Sequence, residues 1–465
     1  MEIVVYYLVI TVSSALFCIG LVTFLKRPFF QLATTSTSQL NIILDHSLKE
    51  EQKDQQLLKN LAQLLGYLLL CMVILTLLII GAILLPVLYF QLINEPEPAT
   101  SSVYFYSSLM LGSSSLLIFK KKGNYSYWSR LLHTIVMDNY ALGRYLLDRE
   151  LKKYSGEAAS EDQDFLIITG LARSGTTALT NLLYDERWFH SINYSNVPFL
   201  LSPNLWKKIY SPRSVKERER AHQDKILFSE GSIEALEEYF FKVHLKDSYI
   251  KENYLEKHII SEDLLIKYYK YQKLFRGTKG TIYLAKNNNF LLRFESIKKL
   301  NNRFKVILLF RNPVDHAESL LNQHRNFIAQ QEEDAFVLSY MNWLGHYEFG
   351  LNQKHFDFLN GNVPTINADK NEISFWLEVW INYYSYVIDI YNPKQKLFLV
   401  HYEDLALNPG KLKKTIGKNI GLELADEYVE PFKRQKSNSE RTTEMDDVQI
   451  KKAYEVYRTL LSYKM

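Results

Sequence analysis

The hydrophobic pattern divides the chain into two unlike parts. An uncharged apolar run from Ile3 to Leu25 opens it, with Glu2 before and Lys26-Arg27 after. Its length matches the roughly 20 residues that a helix needs to cross a bilayer. A secretory signal peptide has a basic start and a short apolar core, so the run predicts a retained anchor. A second run, Leu61 to Ile93, exceeds one span and predicts tilt or an interfacial end near Pro86. A third, Val103 to Phe119, is broken by Gly112 and several serines. We read it as a third span, with a buried or interfacial element of the following domain as the alternative. Residues 1–122 therefore form a predicted membrane region, with transmembrane helices over about 3–25, 61–93 and 103–119.

After Lys120–Lys122 the periodicity changes. Leu131, Ile135, Leu142 and Leu146 fall at helical spacing and predict one amphipathic helix over Trp128–Tyr154. The polar stretch Ser155–Asp164 reads as a linker, so 123–160 connects the membrane region to a domain over 161–465. In that domain short apolar runs alternate with helical patterns. Strands are predicted at Phe165–Thr169, Thr281–Ala285, Lys305–Phe310 and Lys396–Val400. Helices are predicted at Ile233–His244, Phe290–Leu300, Val314–His324 and Ile373–Tyr391. Such alternation specifies an α/β fold with a parallel central sheet flanked by helices.

The chemistry concentrates first in Phe165–Leu183, FLIITGLARSGTTALTNLL. A strand meets a glycine-rich turn, Gly170–Gly175, and then a helix with Leu179, Leu182 and Leu183 on one face. Backbone N–H groups and the positive end of the helix then aim at one point, where an anion can sit. The segment resembles the P-loop of nucleotide enzymes, which requires Lys after its second glycine. Here Thr176 and Thr177 follow Gly175, and the cation lies inside the loop as Arg173. Without the lysine the loop suits Mg²⁺-bound triphosphate chemistry poorly, yet it remains a cradle for a phosphate-like anion. A second motif lies downstream, where the predicted strand FKVILLF runs into Arg311-Asn312-Pro313 and a helix carrying Ser319. A metal-dependent triphosphatase favours an Asp at such a strand end, and Arg311 stands there instead.

The paired motifs resemble those of sulfotransferases that use 3′-phosphoadenosine-5′-phosphosulfate (PAPS), over about residues 160 to 420. The resemblance implies a P-loop-like fold and PAPS as co-substrate, while no His/Asp/Glu spacing points to a bound metal. It also implies a 5′-phosphosulfate loop in which Arg173, Ser174, Gly175, Thr176 and Thr177 bind the donor. In the family an Arg at a strand end and a Ser eight residues on hold the 3′-phosphate, a spacing that Arg311 and Ser319 match. Lys286, ending TIYLAK, stands where related enzymes place a lysine that stabilises the leaving oxygen. Cytosolic members carry a catalytic His two residues after that lysine, but Asn288 stands here and cannot act as a base. Tyr402-Glu403-Asp404-Leu405 looks like another family element, and its carboxylates read as fold support. Tyr194–Trp206 and Tyr340–Gly350 resemble segments of bacterial members.

The base therefore stays open. A His or carboxylate must reach the acceptor hydroxyl, and His222, Glu237 and Glu238 lie in the region expected to line the acceptor. We place His222 first. His324 and His346 read as packing or capping residues. A P-loop-type kinase or triphosphatase, or a non-catalytic nucleotide-binding membrane module, remain the competing readings.

Composition changes this picture only in part. A net charge of +4 over 465 residues, with no dense basic stripe, gives no case for a nucleic-acid partner. The two cysteines, Cys18 and Cys71, both lie in apolar N-terminal runs, so the domain has no disulfide; this fits a reducing compartment. Lys26-Arg27 and the expected Phe29–Asn60 loop carry five basic residues, while Asn94–Ser102 has two glutamates and none. With three spans the positive-inside rule puts the domain on the cytoplasmic face of the cell membrane, and with two it would export the domain. Anchoring in the bilayer points to a hydrophobic hydroxyl acceptor, such as a lipid or lipid-linked glycan.

Overall fold

The computed structural model describes residues 2–45, 48–92, 103–114, 125–154, 164–210, 218–219, 227–228, 233, 236–275, 281–359, 366, 368–424 and 447–465. The chain separates into two compact units, Met1–Leu142 and Gly143–Met465.

In the first unit the backbone is helical from Glu2 to Leu44, with a π-helical turn at Leu21–Leu25, and again over Glu50–Leu92. The loop expected at Phe29–Asn60 is thus replaced by two helices with a short break between them. The helix accommodates the hydroxyls of this polar run. Thr34, Ser36 and Thr37 donate to the carbonyls of Phe30, Leu32 and Ala33 at 3.0, 2.8 and 3.2 Å. The polar run is satisfied inside the helix that it was expected to interrupt. Tyr7–Leu44 and Glu50–Leu92 are long and apolar enough to cross a membrane. Small residues let the helices of this unit approach closely: Ser13 Oγ donates to the Ala82 carbonyl at 2.7 Å, and Ser14 Oγ to Leu109 at 3.1 Å. The third apolar run contains the 11-residue helix Val103–Ser113, about 16 Å long at 1.5 Å per residue. Positions 115–120 lie outside the described residues.

The single helix expected over Trp128–Tyr154 is two helices, Tyr127–Met137 and Tyr140–Tyr154. Asn139 Nδ2 donates to the Ile135 carbonyl at 2.5 Å and Asp138 N to Thr134 at 3.1 Å, which closes the first helix. Short polar side chains compete here with helix continuation.

The second unit is built on a five-stranded parallel sheet: β1 Phe165–Gly170, β2 Phe189–His190, β3 Ile282–Lys286, β4 Lys305–Phe310 and β5 Leu397–His401. The order is β2–β3–β1–β4–β5. Strands covered on both faces need apolar residues throughout, which is why FLIITG and KVILLF are continuous runs. The two-residue β2 is too short to leave a periodic trace in the sequence.

Leu166, Ile168 and Leu309 pack in one cluster with Leu179 and Leu183 of the helix Thr176–Leu183 and with Ile416. The helix Pro313–Glu333, which follows the adjacent strand β4, packs instead against Ile373–Ile390. The neighbouring strands β1 and β4 thus send their helices into different layers. The strand order reverses between them, and open α/β sheets bind ligands outside the carboxyl ends of the strands at such a switch point.

Candidate active site

The loop after β1 turns through three positive-φ residues: Gly170 at 150°, Arg173 at 71° and Gly175 at 99°. Gly175 is required twice over. Its φ disfavours any side chain, and a Cβ there would come within 2.6 Å of the Tyr402 ring. The helix Thr176–Leu183 starts directly after it, with Thr176 and Thr177 in its first turn. Ser174 is fully buried within the loop.

The second motif lies beside the first. Asn312 caps the helix Pro313–Glu333 by accepting from Val314 N at 3.1 Å and Asp315 N at 3.2 Å. Ser319 then lies two turns in, and Arg173 Nε donates to its Oγ at 3.3 Å. Arg311 is 8% exposed, its guanidinium 4.8 Å from the centre of the Tyr402 ring. Its Nε has no hydrogen-bond partner among the described residues. A buried donor without an acceptor marks a place that an anion completes. Across the sheet Lys286 ends β3 in register with Ile168, and its Nζ donates to Thr177 Oγ1 at 2.6 Å. Three cationic side chains therefore gather at the carboxyl edge of the sheet, around one backbone cradle.

His316, which the sequence reading passed over, secures that cradle. Its Nε2 lies 2.7 Å from the Ala172 carbonyl. Burial drives its pKa down to about 3, so the ring is neutral, and facing a carbonyl, Nε2 must carry the proton. His316 and Ser319, three apart on one helix, both reach the loop; that spacing was the available signal.

Behind Lys286 lies a buried polar layer. Glu237 is 0% exposed and accepts from Tyr268 OH at 2.6 Å, Tyr283 OH at 3.1 Å and Asn287 Nδ2 at 2.9 Å. Burial raises its pKa against the pull of these hydrogen bonds. Enclosed in this way, the carboxylate anchors Asn287. Glu238 forms a two-pronged pair with Arg293 at 2.6 and 2.8 Å. Burial opposes its charge, but the guanidinium prevails and holds it below the usual carboxylate range. Next in line, Asn288 Nδ2 donates to Glu348 Oε1 at 3.0 Å, and Glu348 Oε2 lies 3.6 Å from His346 Nδ1. His324 is buried and accepts from Gly350 N at 3.1 Å through Nδ1. His222 lies outside the described residues. Glu403 accepts from Asn312 N at 3.3 Å and pairs with His401, so it supports the cap.

The sulfotransferase domain family model matches residues 162–455. The chain belongs to this family. The matched span holds the loop, Lys286, Arg311 and Ser319, and the sulfotransferase assignment sets the reaction class as sulfuryl transfer. Solved bacterial sulfotransferases are similar at low identity. STF1 from Mycobacterium tuberculosis H37Rv is 12% identical over 63% of this chain and 77% of that one, with a TM-score of 0.34. The enzyme from Alicyclobacillus acidocaldarius is 15% identical over 64% and 96%, at 0.33. STF9 from Mycobacterium avium is 13% identical over 73% and 83%, at 0.34. No curated protein matches the chain.

Proposed function

We propose that this sulfotransferase is anchored in a membrane and moves the sulfuryl group of PAPS to a hydroxyl acceptor. One observation carries the reading of the donor: Arg173 of the loop touches Ser319 of the downstream motif, so two anion-binding devices form one site. The orphaned Arg311 Nε supports the same reading, since a second anionic group would satisfy it. In this assignment the backbone of the loop, Arg173, Ser174, Gly175, Thr176 and Thr177 hold the 5′-phosphosulfate. Arg311 and Ser319 hold the 3′-phosphate, and Lys286, aimed by Thr177, stabilises the oxygen that leaves sulfur. Catalysis then rests on in-line positioning and on cations already in place as charge develops.

Membrane anchoring is supported by the two long apolar helices, whose leucines and isoleucines face outward along Leu58–Leu92. A tethered domain samples acceptors in the bilayer plane at high effective concentration, which favours a lipid or lipid-linked glycan. A cytoplasmic domain follows from the count of basic residues together with a third crossing by the run Val103–Phe119; with two crossings the same count exports the domain.

Titration of the purified full chain in detergent with 3′-phosphoadenosine-5′-phosphate and with ATP–Mg²⁺ tests the donor assignment. Binding of the bisphosphate in preference to ATP–Mg²⁺ is expected; the reverse preference would make the protein a triphosphate enzyme. Mass spectrometry of sulfated lipids with and without the protein tests the acceptor class.

A further inference from the structure

We infer that His346, oriented by Glu348, is the base that deprotonates the acceptor hydroxyl. The inference rests on the reading of this site as a PAPS-dependent one.

Asn288 stands two residues past Lys286. An amide cannot take a proton at neutral pH. What Asn288 does instead is hold another residue: its Nδ2 donates to Glu348 Oε1 at 3.0 Å. The other carboxylate oxygen, Oε2, lies 3.6 Å from His346 Nδ1. A second clamp fixes the same turn, because Asn289 Nδ2 donates to the Gly345 carbonyl at 3.0 Å. Gly345 itself turns at φ 73°, where a Cβ would strike the Glu238 side chain at 2.5 Å. The segment from Gly345 to Glu348 is therefore bolted onto the turn that leaves Lys286, at the carboxyl edge of the sheet.

The imidazole is arranged as a base requires. Nδ1 faces a carboxylate, so Nδ1 carries the proton and Nε2 keeps its lone pair. Nε2 has no hydrogen-bond partner among the described residues, and the side chain is 23% exposed. The Glu348 side chain is 9% exposed, and its pKa is lowered to about 2; burial opposes its charge, and His346 and Asn288 outweigh that. It stays an anion throughout the neutral range. Asn288 Oδ1 is buried without a donor among the described residues, the mark of a site that a further hydrogen-bond donor completes. Other charges near the turn are already matched. Glu238 is paired with Arg293, and Lys242 with Asp247 at 3.1 Å; Lys286 lies ahead of Asn288, with its Nζ on Thr177.

The step balances on these groups. Nε2 takes the proton of the acceptor O–H as that oxygen bonds to sulfur. The bond between sulfur and the 5′-phosphate oxygen breaks, its electron pair staying on the phosphate beside Lys286 and Arg173. The products are a sulfate ester, 3′-phosphoadenosine-5′-phosphate and an imidazolium stabilised by Glu348.

The test uses the full chain in detergent with PAPS and a membrane lipid extract, following release of the bisphosphate as a function of pH and its binding by calorimetry. His346→Asn is expected to lower turnover by about 100-fold or more, to leave bisphosphate affinity within about twofold, and to abolish the acid limb of the pH–rate profile. Glu348→Gln is expected to move that limb to lower pH, since it removes the anion that stabilises the imidazolium. Turnover by His346→Asn within about twofold of the parent at every pH overturns the inference. So does loss of bisphosphate affinity in both His346→Asn and His346→Gln, which makes the residue structural. If the parent binds no bisphosphate and releases none, the donor reading itself falls, and the inference falls with it.

Discussion

Arg173 Nε lies 3.3 Å from Ser319 Oγ, although 146 residues separate them in the chain. A loop cation and a helix hydroxyl thereby share one site, with Arg311 at the end of the strand between them. Charge-assisted hydrogen bonds contribute about 1.5–3 kcal/mol each. Arg173→Ala and Arg311→Ala should therefore each weaken binding of 3′-phosphoadenosine-5′-phosphate about 10- to 100-fold in calorimetric titration. Parental affinity in both variants would remove the site assignment.

Lys286 should act on rate more than on binding. Its Nζ is held 2.6 Å from Thr177 Oγ1, where the proposed reaction would develop charge on the departing oxygen. Lys286→Ala is expected to lower turnover about 10²–10³-fold, with bisphosphate affinity changed only a few-fold. Equal losses in the two quantities would mean that Lys286 binds the ground state alone.

Gly175 has no tolerable replacement. A Cβ at φ 99° adds backbone strain of about 1–3 kcal/mol, and it meets the Tyr402 ring at 2.6 Å. Gly175→Ala should lower the thermal midpoint and weaken bisphosphate binding together. Were both unchanged, the close packing of loop and ring would be wrong.

Acid should loosen the cradle through His316. Its folded pKa of about 3 lies below the ordinary 6.5. Between those values the unfolded chain takes up a proton that the native ring refuses, so stability falls as pH drops, by about 1.4 kcal/mol per pH unit. The contribution is fully present above pH about 6.5. His316→Gln keeps a donor towards Ala172 and removes the titration. Denaturant unfolding of the full chain from pH 7 to pH 4.5 should show a shallower decline for that variant; parallel curves would refute the assignment.

Arg293→Met should cost about 3–5 kcal/mol, because it leaves the Glu238 carboxylate buried and unpaired. The double variant Glu238→Gln/Arg293→Met should recover part of that loss. Denaturant midpoints of the parent and the two variants check both statements.

Four of the five sheet strands were legible in the sequence, because strands buried on both faces are apolar along their length; the two-residue β2 was not. Both anion-loop motifs were legible too, since each joins a strand end to a helix start. Less legible was whatever depends on side-chain satisfaction. The hydroxyls of Thr34, Ser36 and Thr37 are satisfied by helix carbonyls where polarity suggested a loop. Asn139 ends one helix where the apolar periodicity continued. Contacts between distant segments leave no local pattern at all. His316 meets Ala172 across 144 residues, and Asn288 meets Glu348 across 60. His346 reads from sequence as a capping residue, since only the folded chain brings Glu348 and Asn288 together beside it.

Tyr402 lies against Gly175 on one side of the site and under Arg311 on another. Moving either one displaces the same ring, so the interval between the loop and the strand-end arginine is a fixed length. The site then works as a gauge. A ligand with one anionic group can satisfy either end alone, whereas a ligand with two is accepted or refused by its span. Selectivity of this kind needs no contact with a base, and it is lost as a whole when the spacer is shortened.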